Sequence, residues 1–177
     1  MARRIRYYGD PILRKKAEPI KEFGTDFLKE LVQEMDHLML NNDGMALAGP
    51  QAGEALRIFV TRAPFETPEG KWELGDLEVF INPVLSLPTP ELWMLEEGCV
   101  SVPKLSVPVE RPVGITIEAY DVEGKPFKRS VEGIVARMYM HENDHLNGVL
   151  TIDRTDKKTR AKLENALRLI KQKYNKK

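Results

Sequence analysis

Two histidines and a carboxylate stand together in His141-Glu142-Asn143-Asp144-His145. Histidines four apart on a helix project in nearly the same direction, so both imidazoles can reach one metal ion while Glu142 faces a water held there. The chemistry that such an arrangement serves is hydrolysis, with the carboxylate as general base. The pair by itself also fits two imidazoles at the edge of a core. Scarcity favours the metal: the 177-residue chain has three histidines and one cysteine, and two of the histidines lie in this motif.

The cysteine, Cys99, lies in Glu97-Gly98-Cys99-Val100-Ser101-Val102-Pro103, between a glycine and a short β-like run. That setting suits a residue presented at a strand edge. A thiolate with two neutral imidazoles makes a three-ligand site with an open position for water or substrate. The 42 positions from Cys99 to His141 are too many for a compact finger and fit a centre assembled across a fold. Taken alone, Cys99 reads first as a small buried hydrophobe. Upstream, Gly44-Met45-Ala46-Leu47-Ala48-Gly49-Pro50-Gln51 is a run of small residues ending in an amide. Small residues let another backbone approach closely, and the Gln51 amide can donate to a developing oxyanion. By itself such a run is more often a plain loop between a helix and a strand.

These segments need elements to hold them. Val131, Ile134, Val135 and Met138 form an apolar stripe that continues into His141 and His145, and Asn147-Gly148 closes that helix. An earlier helix starts at the cap candidates Thr25 and Asp26, presents Leu28, Leu31, Val32, Met35 and Met39 on one face, and stops at Asn41-Asn42-Asp43-Gly44. Between the two helices the pattern predicts strands at 57–61, 78–82, 84–87, 92–95, 107–110, 114–120 and 127–131, with a hairpin turn at Glu123-Gly124. The stretch from Ala63 to Asp76, with Pro64, Pro68, Gly70 and Gly75, reads as an exposed loop. Strands gathered between helices, not alternating with them, predict an α+β domain instead of a doubly wound sheet.

Composition sets the frame. Hydrophobic residues make up 42% and charged residues 31%, and no apolar run approaches the roughly 20 residues of a membrane span. The basic start, Met1 to Tyr8, lacks the apolar core of a secretory signal, and one cysteine cannot form an internal disulfide, so a reducing, cytoplasmic setting is expected. A net charge of zero hides an asymmetry. From Lys157 to Lys177 nine basic residues face one acidic residue, a balance of +8 that leaves −8 for the rest. Leu163, Leu167, Ile170 and Tyr174 recur there at helical spacing, so this segment reads as an amphipathic helix. Its charged side is either a solvated face or a contact with nucleic acid or a ribonucleoprotein.

The three chemical segments, in this order, resemble the three signature motifs of the peptide deformylase family: Gly-x-Gly-x-Ala-Ala-x-Gln, Glu-Gly-Cys-x-Ser and His-Glu-x-Asp-His-Leu-x-Gly. The second and third match at every fixed position, and with Tyr7-Tyr8-Gly9-Asp10-Pro11-Ile12-Leu13-Arg14 the likeness runs from that opening segment to about Asp153. The resemblance implies one α+β domain over residues 1–177, with short mixed β-sheets around a central metal-binding helix, an N-terminal helix and a basic C-terminal helix at 157–177. It implies a hydrolase that removes the formyl group from the N-terminal formyl-methionine of new polypeptides and releases formate. Carried across by position, it makes Cys99, His141 and His145 ligands of one divalent ion, typically Fe2+, with Zn2+, Ni2+ or Co2+ able to substitute. Glu142 becomes the general acid/base, with the Gln51 amide and the Val100 backbone N–H holding the oxyanion. The peptide would lie extended along Gly44, Met45, Ala46, Glu97 and Gly98, with Arg137 and Met138 bordering its first side chain. Arg111 and Asp144 would orient the ligands or Glu97. The implied partners are N-formylmethionyl peptides, nascent chains and, through the C-terminal helix, the ribosome; no membrane and no sequence-specific nucleic-acid contact is implied.

The chain departs from the family in the first motif and in the pocket. Ala46 stands in place of the second glycine, strained if that position needs a positive φ, while Gly49 replaces the second alanine and Pro50 fills the variable position. Arg137 falls where the family usually presents an apolar residue. Its expected pose borders the pocket with its stem and sends its charge outward to solvent. A zinc endopeptidase shares His-Glu-x-x-His but normally lacks a cysteine ligand placed before the helix. A non-catalytic relative is disfavoured by intact Gln51, Cys99, His141, Glu142 and His145.

Overall fold

The structure, a computed structural model, describes residues 3–175. Helix α1 spans Asp26–Leu40, and Thr25 caps it by accepting from the Leu28 backbone N–H at 3.2 Å. Its buried face is Leu28, Leu31, Val32, Met35 and Met39, the stripe that the spacing predicts. Then follow β1 (Ala46–Ala48), the single-turn α2 (Gly49–Ala52), β2 (Ile58–Thr61), β3 (Pro64–Glu66), β4 (Trp72–Leu74), β5 (Glu78–Ser86), β6 (Leu92–Cys99), β7 (Val102–Pro112), β8 (Gly114–Tyr120) and β9 (Pro126–Glu132). Helix α3 (Gly133–Leu146) carries the histidine motif, and α4 (Lys157–Lys162) and α5 (Glu164–Tyr174) close the described chain.

An antiparallel five-stranded sheet in the order β1-β2-β5-β8-β9 forms the centre. Alternation along β2 explains how it is sandwiched. Ile58 and Val60 pack with α1, whereas Phe59 points to the other face and packs with Phe80, Ile117 and α3 residues Ala136 and Tyr139. Both faces are therefore covered by helices, and β2 reads as a continuous apolar run because all four residues are buried. The β6–β7 hairpin stands apart as a two-stranded sheet. Its inward β7 residues Val107 and Val109 join Leu13, Leu150, Ile152, Leu167 and Ile170 in a third apolar cluster.

Several local expectations change. The strands predicted at 78–82 and 84–87 are one strand, β5, bent by a bulge at Asn82, whose φ is +50°. Asn82 uses its side-chain amide on both backbone groups of Ile20, at 2.9 and 2.8 Å, which compensates for the broken ladder. The supposed loop from Ala63 to Asp76 contains the β3–β4 hairpin. The stripe on the histidine helix is misplaced: Val131 belongs to β9, Ile134 is 48% exposed, and the buried side starts at Ala136. The terminal helix breaks at Leu163 into α4 and α5, and Lys176 and Lys177 lie outside the described residues.

Candidate metal centre and active-site cleft

Cys99 ends β6 at a register shift against β7, where the chain turns through Val100 and Ser101. This irregularity takes the thiol out of the strand pleat and aims it at α3. His145 Nε2 lies 3.3 Å from Cys99 Sγ and 3.1 Å from His141 Nε2. One donor atom from each of the three residues falls within 4.8 Å of the others. Four-coordinate ligands at ordinary zinc distances stand about 3.3–3.6 Å apart, so this spacing fits a shared divalent ion. The donor set fits too. His141 Nδ1 lies 3.2 Å from Glu97 Oε2, which places the ring proton there and leaves the Nε2 lone pair facing the cluster. Burial alone would raise the Cys99 thiol, but His145 and His141 more than offset this and hold it well below the ordinary thiol range.

The Glu97 carboxylate is the hub of a buried ion network. It receives Arg111 at 2.7 and 2.9 Å and Arg137 at 2.6 Å, in addition to His141. Arg111 continues to Asp144 at 2.9 Å, and Arg154 closes the chain on Asp144. Burial would raise the Glu97 pKa, but the Arg111 and His141 bonds hold the carboxylate well below its usual range. Arg111 is buried because β7 alternates: Val107, Val109 and Arg111 share its inward face. Asp144 and Arg111 thus form an interior network and no exposed ion pair.

Arg137 is the clear correction to the sequence reading. Its guanidinium points inward, donating to Glu97, to the Val109 carbonyl at 3.0 Å and to the Trp93 carbonyl at 2.5 Å. Carbonyls of both hairpin strands and a buried carboxylate outcompete solvent for the charge, so it does not snorkel. Ala46 also resolves simply: it pairs with Thr61 as an ordinary strand residue and is not among the positive-φ positions. Gly49 has a steric reason, since a Cβ there would stand 2.7 Å from the Leu56 carbonyl.

A cleft of about 650 Å³ opens over the centre. Gly44, Met45, Ala46, Gln51, Glu97, Gly98, Cys99, Val100, Arg137, Met138, His141 and Glu142 all line it, whereas His145, Arg111 and Asp144 are buried outside its lining. Gln51 is orientated without ambiguity. Its Oε1 accepts from the Ala48 N–H at 2.8 Å, which turns the NH2 toward Ser101 Oγ at 3.2 Å and Cys99 Sγ at 3.5 Å. Glu142 is buried, its Oε2 has no hydrogen-bond partner among the described residues, and burial raises its pKa despite the opposing imidazoles. Gly98 meets little within the chain, its nearest contact for a Cβ being Leu105 O at 3.8 Å, so a side chain there would have room in the fold but would crowd the cleft. The sequence reading missed Ser101 as the partner of Gln51, Arg154 as the last member of the ion network, and Tyr7, Asn42 and Tyr174 on the rim. Ser101 was legible as the fixed serine of its motif; Tyr7, Asn42 and Tyr174 stand in the sequence as a motif tyrosine, a helix stop and a member of an apolar stripe, none of which marks a cleft rim.

The family model described as "Polypeptide deformylase" matches residues 2–161. A peptide deformylase of Thermotoga sp. (strain RQ2) is 39% identical over 165 residues, covering 93% of each chain. Among solved structures, a plant peptide deformylase PDF1B superposes with a TM-score of 0.87 at 34% identity, covering 97% of this chain and 90% of that one. The Plasmodium falciparum peptide deformylase gives 0.86 at 34% identity, covering 97% and 96%. With the family model spanning nearly the whole chain and the fold shared throughout, this chain belongs to the polypeptide deformylase family.

Proposed function

We propose that Cys99, His141 and His145 hold one divalent ion, Fe2+ in the cell, and that Glu142, Gln51 and Val100 carry out the deformylation for which the family is known. The chain is a metal-dependent hydrolase that acts on N-formyl-methionine peptides. The observation that carries the residue assignment is convergence: Cys99, His141, a buried carboxylate with a free oxygen and a fixed amide donor line one cleft, and His145 stands against the Cys99 and His141 donor atoms. A bound divalent ion supplies Lewis-acid polarisation and a water acidic enough to ionise near neutral pH. Glu142 takes the water proton on its unpartnered oxygen as the formyl carbon is attacked, and its raised pKa suits it to hold that proton. The Gln51 NH2 and the Val100 N–H donate to the oxygen that becomes negative. Glu142 then delivers its proton to the departing amine, and formate leaves.

The substrate backbone lies against Gly44–Ala46 on one side and Glu97–Gly98 on the other, in the manner of an added strand. Its first side chain rests on Met138 and the Arg137 stem. A thiolate ligand suits iron and a reducing, cytoplasmic location. Among the described residues no helix is long and apolar enough to cross a membrane. The exposed cations Lys157, Lys158, Lys162 and Arg168 on α4 and α5 form the face for ribosome contact. Reversing these four should abolish ribosome co-sedimentation; unchanged binding would refute the contact. Charge reversal is preferable to deleting 157–177, because Leu167 and Ile170 belong to the core.

The deciding experiment compares formyl-Met-Ala-Ser with acetyl-Met-Ala-Ser on anaerobic, iron-loaded protein, with Glu142→Gln as control. Formyl-selective turnover, lost in the variant while metal is retained, supports the assignment. Metal-replete, folded wild-type protein without turnover would refute it.

A further inference from the structure

The cleft borders a second cavity. Tyr7 and Tyr174 stack with ring centroids 4.0 Å apart, and together with Asn42 they line both the cleft and a neighbouring groove of about 800 Å³. This groove runs between the N-terminal segment and the end of α5. Asn175 fixes that junction by donating to the Tyr8 carbonyl at 2.8 Å.

The charge changes sign across the tyrosine pair. The cleft rim carries Asp43 and Glu96 with Lys104, whereas the groove is lined by Arg3, Arg4, Arg6, Lys171 and Lys173 against one carboxylate, Asp10. Arg3 is neutralised by Glu34 and Glu54, and Arg6 faces Asp10 at 3.6 Å. Arg4, Lys171 and Lys173 have no ion-pair partner among the described residues, and all three are exposed. The family model ends at residue 161, so the wall contributed by α5 lies outside what that model describes.

We propose that this groove is a subsite for the part of the formylated chain beyond its first three residues, and that it selects acidic residues there. The proposal rests on the deformylase reading of the cleft. Two features favour a peptide as the occupant: the groove shares the wall of Tyr7, Asn42 and Tyr174 with the cleft that receives the substrate, and cations without an ion-pair partner among the described residues line the groove itself. RNA phosphate is the rival anion and is separated by the test.

The experiment measures kcat/KM for formyl-Met-Ala-Ser extended with Ala-Asp-Glu-Asp, Ala-Ser-Gln-Ser or Ala-Lys-Arg-Lys, each normalised to formyl-Met-Ala-Ser on the same iron-loaded enzyme. At low salt the acidic tail should exceed the basic one by about fivefold or more, falling toward parity at about 0.5 M salt. The triple variant Arg4→Glu, Lys171→Glu, Lys173→Glu should abolish or invert the preference. Equal rates for the three tails, or a preference that survives the triple variant, would overturn the proposal. Tail-indifferent kinetics together with charge-reversal-sensitive binding of single-stranded RNA would also overturn it and assign the groove to RNA. Failure of formyl-Met-Ala-Ser itself to turn over would strike the deformylase reading instead. In that event, fluorescence anisotropy of the labelled tailed peptides on wild type and triple variant still tests the groove.

Discussion

Arg137 shows how one buried charge can join two elements. Its guanidinium bonds Glu97 and carbonyls of both strands of the β6–β7 hairpin, tying the strand that delivers Cys99 to the helix that delivers His141 and His145. Removing it takes a donor from two carbonyls and leaves Glu97 with one arginine fewer. Arg137→Met should therefore destabilise the fold by about 2–4 kcal/mol in thermal or urea unfolding, and should lower metal retention in a chelator competition. Unchanged metal retention would separate the hairpin anchor from the metal centre. At Ala46 the expectation runs against the family pattern. Because its φ is not in the left-handed region, Ala46→Gly relieves no strain and should cost roughly 0.5–1 kcal/mol through backbone entropy.

The elements set the catalytic geometry through their irregularities. Helix α2 is one turn long, yet it carries Gln51, and its position depends on Gly49 packing under the Glu54 and Leu56 carbonyls. Gly49→Ala brings a methyl to 2.7–2.9 Å from both, so the turn must shift. The predicted result is a loss of stability of more than about 2 kcal/mol, with kcat falling as the Gln51 amide moves away from the cleft. Thr25→Ala provides the contrasting control: it removes the α1 cap, costs about 1 kcal/mol, and should leave kcat unchanged because α1 supplies none of Cys99, His141, His145, Glu142 and Gln51. The elements legible in the sequence are those with sustained periodicity, such as α1 and β8. Strand β1 and the β3–β4 hairpin, three residues each, are too short for any period to register, and only their pairing partners make them strands.

Across the whole molecule, the Arg14–Asp153 pair connects the N-terminal turn to the segment following α3, and Asp153 also accepts from the Leu150 N–H at 2.8 Å. Burial would raise the Asp153 pKa, but these bonds outweigh it and lower the value. A carboxylate depressed in the folded state stabilises above its unfolded pKa of about 3.9, and this contribution is lost as pH falls through the folded value. Asp153→Asn should thus cost about 0.5–1 kcal/mol at neutral pH, discounted for partial exposure, and the gap from wild type should close below about pH 4. A gap independent of pH would assign the effect to packing.

What the sequence determined by itself was local and chemical. The spacing of His141 and His145, the lone Cys99 and the amide of Gln51 name a metal-hydrolase chemistry, because helical periodicity puts residues four apart on one side without help from the rest of the chain. The α1 core face and its caps were fixed in the same way. The inward turn of Arg137, the burial of Arg111 and Asp144, and the tyrosine pair lining both cleft and groove were decided only by tertiary structure. Each depends on residues from different elements meeting in space, as Arg137 meets Trp93 or Tyr7 meets Tyr174. Whether a charge is solvated or paired is a property of what surrounds it, and the surroundings exist only once β6, β7, α3 and α5 have packed together.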